Sequence, residues 1–156
     1  MDVRIVTFPE TRVASITHLG APKNEHATAL KLVAWKRAHG LLDQARHRTY
    51  GLHSTDPRSV APDEHRVEFC LSIDGLDVAP NPYGIVAKTI PRLRCALARD
   101  VGSRRDNQAA VFLYERWLPS SGETPSGDPL IFHYVNVGPS VKDEEAITDV
   151  YLPLRG

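Results

Sequence analysis

Four side chains in this sequence of 156 residues could donate or take a proton in a pocket: Tyr50, Tyr114, Glu115 and His133. Such chemistry needs a group within hydrogen-bond reach of the reacting atom and with a pKa suited to the task. No spacing among the four fixes that role. There is no Gly-rich phosphate loop, no His-Glu-x-x-His pair and no Gly-x-Ser-x-Gly elbow. The histidines at 18, 26, 39, 47, 53, 65 and 133 are scattered, without a thiolate or carboxylate at a repeating ligand spacing, so no metal and no cofactor is expected. Cys70 and Cys95 sit in the apolar runs "VEFCLSI" and "RLRCALA", the setting of buried reduced thiols rather than of a nucleophile or a disulfide framework.

Binding is the other chemistry on offer. Trp35 and Trp117, with Tyr50, Phe69, Tyr114, Phe132, His133 and Tyr134, supply enough aromatic surface to wall a pocket for a flat or lipophilic molecule. The plainer alternative is that both tryptophans are core anchors. The first helix carries Ala27, Leu30, Leu32, Val33, Ala34 and Trp35 around a wide arc, which implies contact with more than one surface.

What positions these residues is a repeat. Sliding the chain by 82 positions pairs Thr7 with Thr89, Pro9 with Pro91, Arg12 with Arg94, Gly20 with Gly102, Trp35 with Trp117, Gly40 with Gly122 and Pro57 with Pro139, with no gap. In the first half "VRIVTFP" and "TRVASITHLG" read as strands and Asn24 as the cap of a helix "EHATALKLVAWKRAH" stopped by Gly40. "TYGLHS" and "HRVEFCLSI" follow as strands, the second alternating Val67, Phe69, Leu71 and Ile73 with Glu68, Cys70 and Ser72 as if buried on one face. The second half repeats the order with "GIVAKTI", "LRCALARDVG", a helix from about Asp106 to Leu118 ended by Pro119, "LIFHYVNV" and "ITDVYLPL". The reading is therefore one α+β domain over 1–156, built of two pseudo-twofold-related β-β-α-β-β modules, about 1–74 and 84–156, with a mainly antiparallel sheet, two long helices and a central cleft.

Acidic and basic residues cancel, 19 against 19, so no net field draws the chain to nucleic acid or an anionic membrane. Neither a signal-like start nor a run of about 18 apolar residues is present, and a soluble cytoplasmic protein without direct DNA or membrane contact is expected.

The strings "YGLHSTDP" (50–57), "HRVEFCLSI", "WLPSSGETPSGDPLIFHYVN" and "ITDVYLPLR", with "ITHLGAP" at 16–22, resemble the GyrI-like small-molecule-binding family along essentially the whole chain. That family includes the effector-binding domains of AraC-type and multidrug-responsive regulators and the stand-alone DNA gyrase inhibitory protein. The resemblance implies a pair of SHS2-type modules with a central cleft for lipophilic compounds. It also implies a function in toxin resistance or transcription regulation, with gyrase or a regulator as possible protein partner. Some relatives hydrolyse strained-ring toxins, and that alternative would cast Glu115, Tyr114 and His133 as catalytic; a binder rather than an enzyme is the reading taken.

Two departures matter. Relatives place a glutamate, suited to a cationic ligand, where this chain has His133 in "LIFHYVN", so neutral or anionic ligands are expected unless Glu68 or Glu115 supplies the charge. The second half also has Asp100-Val-Gly102 where the first has His18-Leu-Gly20.

Overall fold

The computed structural model describes residues 1–54 and 61–156. Pro57, its pairing with Pro139, and residues 55–57 of the string at 50–57 therefore lie outside the described residues. The fold is α+β, as expected, with eight antiparallel strands among the described residues. β1 (Val3–Phe8) and β2 (Thr11–Leu19) precede helix α1 (Glu25–Ala38), and β3 (Thr49–His53) and β4 (Arg66–Ser72) close the first half. β5 (Val86–Ile90) and β6 (Leu93–Val101) lead into α2 (Gln108–Phe112), a π-helical turn (Leu113–Trp117) and α3 (Leu118–Ser121). β7 (Leu130–Tyr134) and β8 (Ile147–Pro153) follow.

The compact units are not the linear halves 1–74 and 84–156. A central unit comprises Thr11–Ile90, and a C-terminal unit comprises Met1–Glu10 with Pro91–Gly156. β1 pairs with β6 rather than with β2, and β5 pairs with β2. The links Pro9–Glu10 and Pro91–Arg92 contain no residue suited to the positive φ of a tight hairpin, and proline removes a ladder donor, so each leading strand runs on instead of folding back. Within the central unit the strand order is β3-β4-β2-β5; within the C-terminal unit it is β1-β6-β8-β7.

Register refines the repeat. Val13 faces Ser72 and Cys95 faces Pro153, so the early strands keep the 82-residue offset while the late ones are offset by 81. One residue is missing between Gly122 and β7, and the counterpart of Tyr50 is Ile131, since Tyr50 faces Cys70 and Ile131 faces Tyr151. Gly40 and Gly122 both end helices in the left-handed region, at φ 67° and 73°, where a side chain would be strained.

Each helix covers one face of its own sheet. α1 packs on β2 and β4, burying Leu32 and Trp35 against Ala14, Ile16, Leu41, Leu71, Ile73 and Ile85. Leu30, Ala27 and Ala34 are exposed, so the wide apolar arc is not covered throughout; Thr28, Leu32 and Trp35, spaced four and three apart, form the contacting stripe. β4 is buried on both faces, because Glu68, Cys70 and Ser72 are buried along with Val67 and Leu71. Asn24 makes no side-chain cap; a short 3-10 turn over Pro22–Asn24 leads into the helix instead. In the C-terminal unit α2 packs on β6 and β8, and Ala109, Ala110 and Leu113 join Ala96, Ala98, Phe132, Val150 and Leu152 in the core.

Pro119 does not stop the second helix. It stands in the first turn of α3, directly after the π-helical turn, where the changed hydrogen-bond pattern accommodates its missing N–H, and the helix ends at Gly122.

Candidate functional site

The register of the C-terminal unit sets its helix-facing residues in rows. One row is Ala98, Val150 and Phe132; the next is Asp100, Thr148 and Tyr134. Opposed residues of an antiparallel pair share a face. Phe132 and Tyr134, two apart on β7, therefore project to the same side, with ring centroids 6.3 Å apart and planes 15° from parallel. Trp117 from the π-helical turn, Leu118 and Tyr134 are each half-buried against the same apolar cluster. Aromatic surface that is neither closed into the core nor fully in water suits a ligand with an apolar body. π-helical turns recur at functional positions.

Arg104 fixes the end of this row. Its Nε donates to Thr148 Oγ1 at 2.8 Å, and one terminal nitrogen donates to the carbonyls of Asn136 and Ile147, each at 2.8 Å. Its guanidinium lies 5.2 Å from the centroid of the Tyr134 ring, a cation–π contact. Partial burial lowers its pKa from the usual arginine value, against the opposing influence of the nearby Tyr134. Nothing in the sequence marks this residue as part of a site, because its partners come from two segments remote from it, one with Tyr134 and Asn136 and the other with Ile147 and Thr148.

Other expected site residues are distributed differently. Trp35 is only 3% exposed and belongs to the core of the central unit, with its ring centroid 4.5 Å from that of His39. Phe69 is half-buried on the helix-facing side of the same unit, packed against that core. Tyr50 faces Cys70, on the side of the sheet away from α1; Arg48 Nε donates to its hydroxyl at 2.6 Å, and burial raises its pKa against the pull of Arg48. His133 faces Asp149, on the side away from the helix, while Tyr114 and Glu115 are exposed on the helix itself. The sheet thus separates His133 from Tyr114 and Glu115, and no acid–base set of those three is assembled.

Buried carboxylates elsewhere are committed to cations. Glu68 accepts from Lys88 Nζ at 2.6 Å, with Arg66 3.7 Å away, and Asp149 is gripped by Arg99 at 2.7 and 3.0 Å. The thiols are inert: burial first, with smaller help from Glu68, pushes Cys70 up to about 12, and burial followed by Asp128 pushes Cys95 up to about 11. Iodoacetamide at pH 8 is expected to leave both unmodified in the folded protein and to label both in urea, as read by intact mass; fast labelling without urea would contradict this.

One histidine cluster is invisible in the linear sequence because its members lie on different elements. In the central unit His18, Val67 and His53 form the row equivalent to Asp100, Thr148 and Tyr134. His18 is tied to Thr28 Oγ1 at 2.7 Å and to the carbonyl of Ala21 at 3.1 Å. His65, 1% exposed, hydrogen-bonds through Nε2 to the Glu25 carboxylate at the start of α1. The rings of His53 and His65 are 6.5 Å apart, and burial followed by the charge of His65 pushes His53 down to about 4. Among the described residues no group of three or more His, Cys, Asp or Glu is arranged to hold a metal. No helix among them is long and apolar enough to cross a membrane.

The family model of the GyrI-like small molecule binding domain matches residues 1–155. A probable transcriptional regulator, YgiV of Escherichia coli strain K12, is 33% identical over 155 residues, covering 99% of this chain and 96% of the relative. Among solved structures, the C-terminal domain of EcmrR superposes with a TM-score of 0.75 at 16% identity, over 99% of this chain and 97% of that one. SAV2435 bound to tetraphenylphosphonium superposes with a TM-score of 0.60 at 11% identity, over 100% of this chain and 95% of that one.

Proposed function

Because this chain belongs to the GyrI-like small molecule binding domain family, we propose that it binds a lipophilic or aromatic compound on the helix-facing side of its C-terminal unit, against Trp117, Phe132 and Tyr134. The observation that carries the reading is the half-buried state of Trp117 and Tyr134 over one shared apolar cluster. Rings held at that depth present apolar area at small ordering cost. The ligand class is supported by SAV2435, a protein of like fold that was solved with a lipophilic organic ion. YgiV, a probable transcriptional regulator, supports a regulatory use of binding: occupancy of the site is the signal, and the compound leaves unchanged.

Titration with a panel of fluorescent flat aromatic compounds, read by anisotropy, tests this. Saturable binding by at least one member is expected, and Trp117→Ala is expected to weaken it about tenfold or more, the size typical of a central aromatic anchor. No saturable binding by any member, or an unchanged affinity in the variant, would remove the proposed site. Product analysis after prolonged incubation separates binding from hydrolysis, since turnover beyond one equivalent would require an enzyme.

A further inference from the structure

The arginines of the C-terminal unit differ in how their charge is met. Arg94 is clamped by Glu123 and Arg99 by Asp149. Arg104 is half-buried, yet among the described residues it forms no ion pair, and its acceptors, Thr148 Oγ1, the carbonyl and Oδ1 of Asn136 and the Ile147 carbonyl, are all neutral. Those bonds use Nε and one terminal nitrogen, Nη2; the other, Nη1, makes no hydrogen bond among the described residues. Burial is the larger influence on the pKa of this guanidinium, and the opposing one comes from Tyr134 rather than from a carboxylate. Asp100 begins the row on β6, on the side of Thr148 away from Tyr134, and makes no ion pair with Arg104. The fold does not ask for this cation: the 82-residue offset puts Pro22 at the equivalent place in the central unit, where it opens the 3-10 turn before α1. A partly desolvated guanidinium held by neutral acceptors keeps its charge uncompensated and its spare N–H groups fixed in place.

We infer that Arg104 is an anion-recognising residue: its Nη1 donates to the carboxylate of an aromatic acid whose rings lie against Tyr134 and Trp117. The assignment rests on the aromatic-ligand reading above and names the charge class of the compound. The Arg104 guanidinium stands 5.2 Å from the centroid of the Tyr134 ring, so an acid group at Nη1 is adjacent to the aromatic wall. A charged hydrogen bond in surroundings that screen charge poorly favours an anion over a neutral acceptor. Glu123 and Asp149, which would oppose an anion, are each neutralised by an arginine.

Three probes of one shape decide it: 1-pyrenecarboxylate, 1-pyrenemethanol and 1-pyrenemethylammonium, titrated by fluorescence anisotropy at pH 7. The wild-type protein is expected to prefer the carboxylate over the alcohol by about tenfold or more and to bind the ammonium most weakly. Arg104→Gln is expected to bring the carboxylate-to-alcohol ratio close to one, whereas a merely structural loss would weaken all three probes alike and leave the ratio unmoved. A crystal structure of the wild-type protein with 1-pyrenecarboxylate answers without a variant: the acid group is expected within hydrogen-bond reach of Arg104 Nη1, and an acid group turned to water overturns the assignment. Equal affinity for carboxylate and alcohol in the wild type, or a preference that survives in folded Arg104→Gln, overturns it too while leaving the aromatic-ligand reading intact. Binding of none of the three probes also overturns it, and the panel of flat aromatic compounds then decides whether the aromatic-ligand reading falls with it.

Discussion

Trp35→Ala is expected to lower the stability of the protein by about 3–5 kcal/mol, the range for removing a buried indole whose cavity collapses only partly. Trp35 is 3% exposed, and Leu32, Leu41, Leu71, Ile73 and Ile85 belong to the same cluster. Urea denaturation followed by circular dichroism checks the value. A loss below about 1 kcal/mol would mean that the indole is not enclosed as described. Trp117→Ala serves as the contrast: its ring is half-buried, so its stability cost should be clearly smaller even though its effect on binding is large.

Acid should destabilise the central unit through His53. Its folded-state pKa is pushed down to about 4 from 6.5, first by burial and then by the charge of His65. Between those two values the unfolded chain binds the proton and the folded one does not, so this contribution is fully present above pH 6.5 and is lost as pH falls through 4. At about 1.4 kcal/mol for each pH step of one, the loss across that window is about 3 kcal/mol. His53→Gln cannot titrate there. Its stability should fall less steeply from pH 7 to pH 4 than that of the wild type, and parallel slopes for the two proteins would refute the effect.

Element order is written plainly in the sequence, because alternation, glycine stops and the repeated Trp, Gly and Pro positions are local signals. The late change of offset is not, since a single missing residue between Gly122 and β7 is visible only when Ile131 is seen opposite Tyr151. Pairing partners are equally hidden: nothing local to Val3–Phe8 says that its ladder partner is Leu93–Val101. The site divides in the same way. Phe132, Tyr134 and Trp117 are legible as aromatics, and the structure brings them to one apolar cluster. Trp35 looks identical by type and is core, because the two tryptophans differ in depth, which no spacing encodes. Tyr50 and His133 lie on the far faces of their sheets, a matter of strand parity set by register. Asp100 stands out in sequence only as a mismatch with His18.

The exchange of leading strands constrains synthesis. Thr11–Ile90 is continuous, so that part of the polypeptide can complete its ladder while translation is still under way. The other part cannot, because β1 leaves the ribosome before the whole of that stretch and its partner β6 leaves after it. β8, on the far side of β6, comes later still. The early strand must wait, unpaired, and the newborn chain carries an open edge throughout that interval.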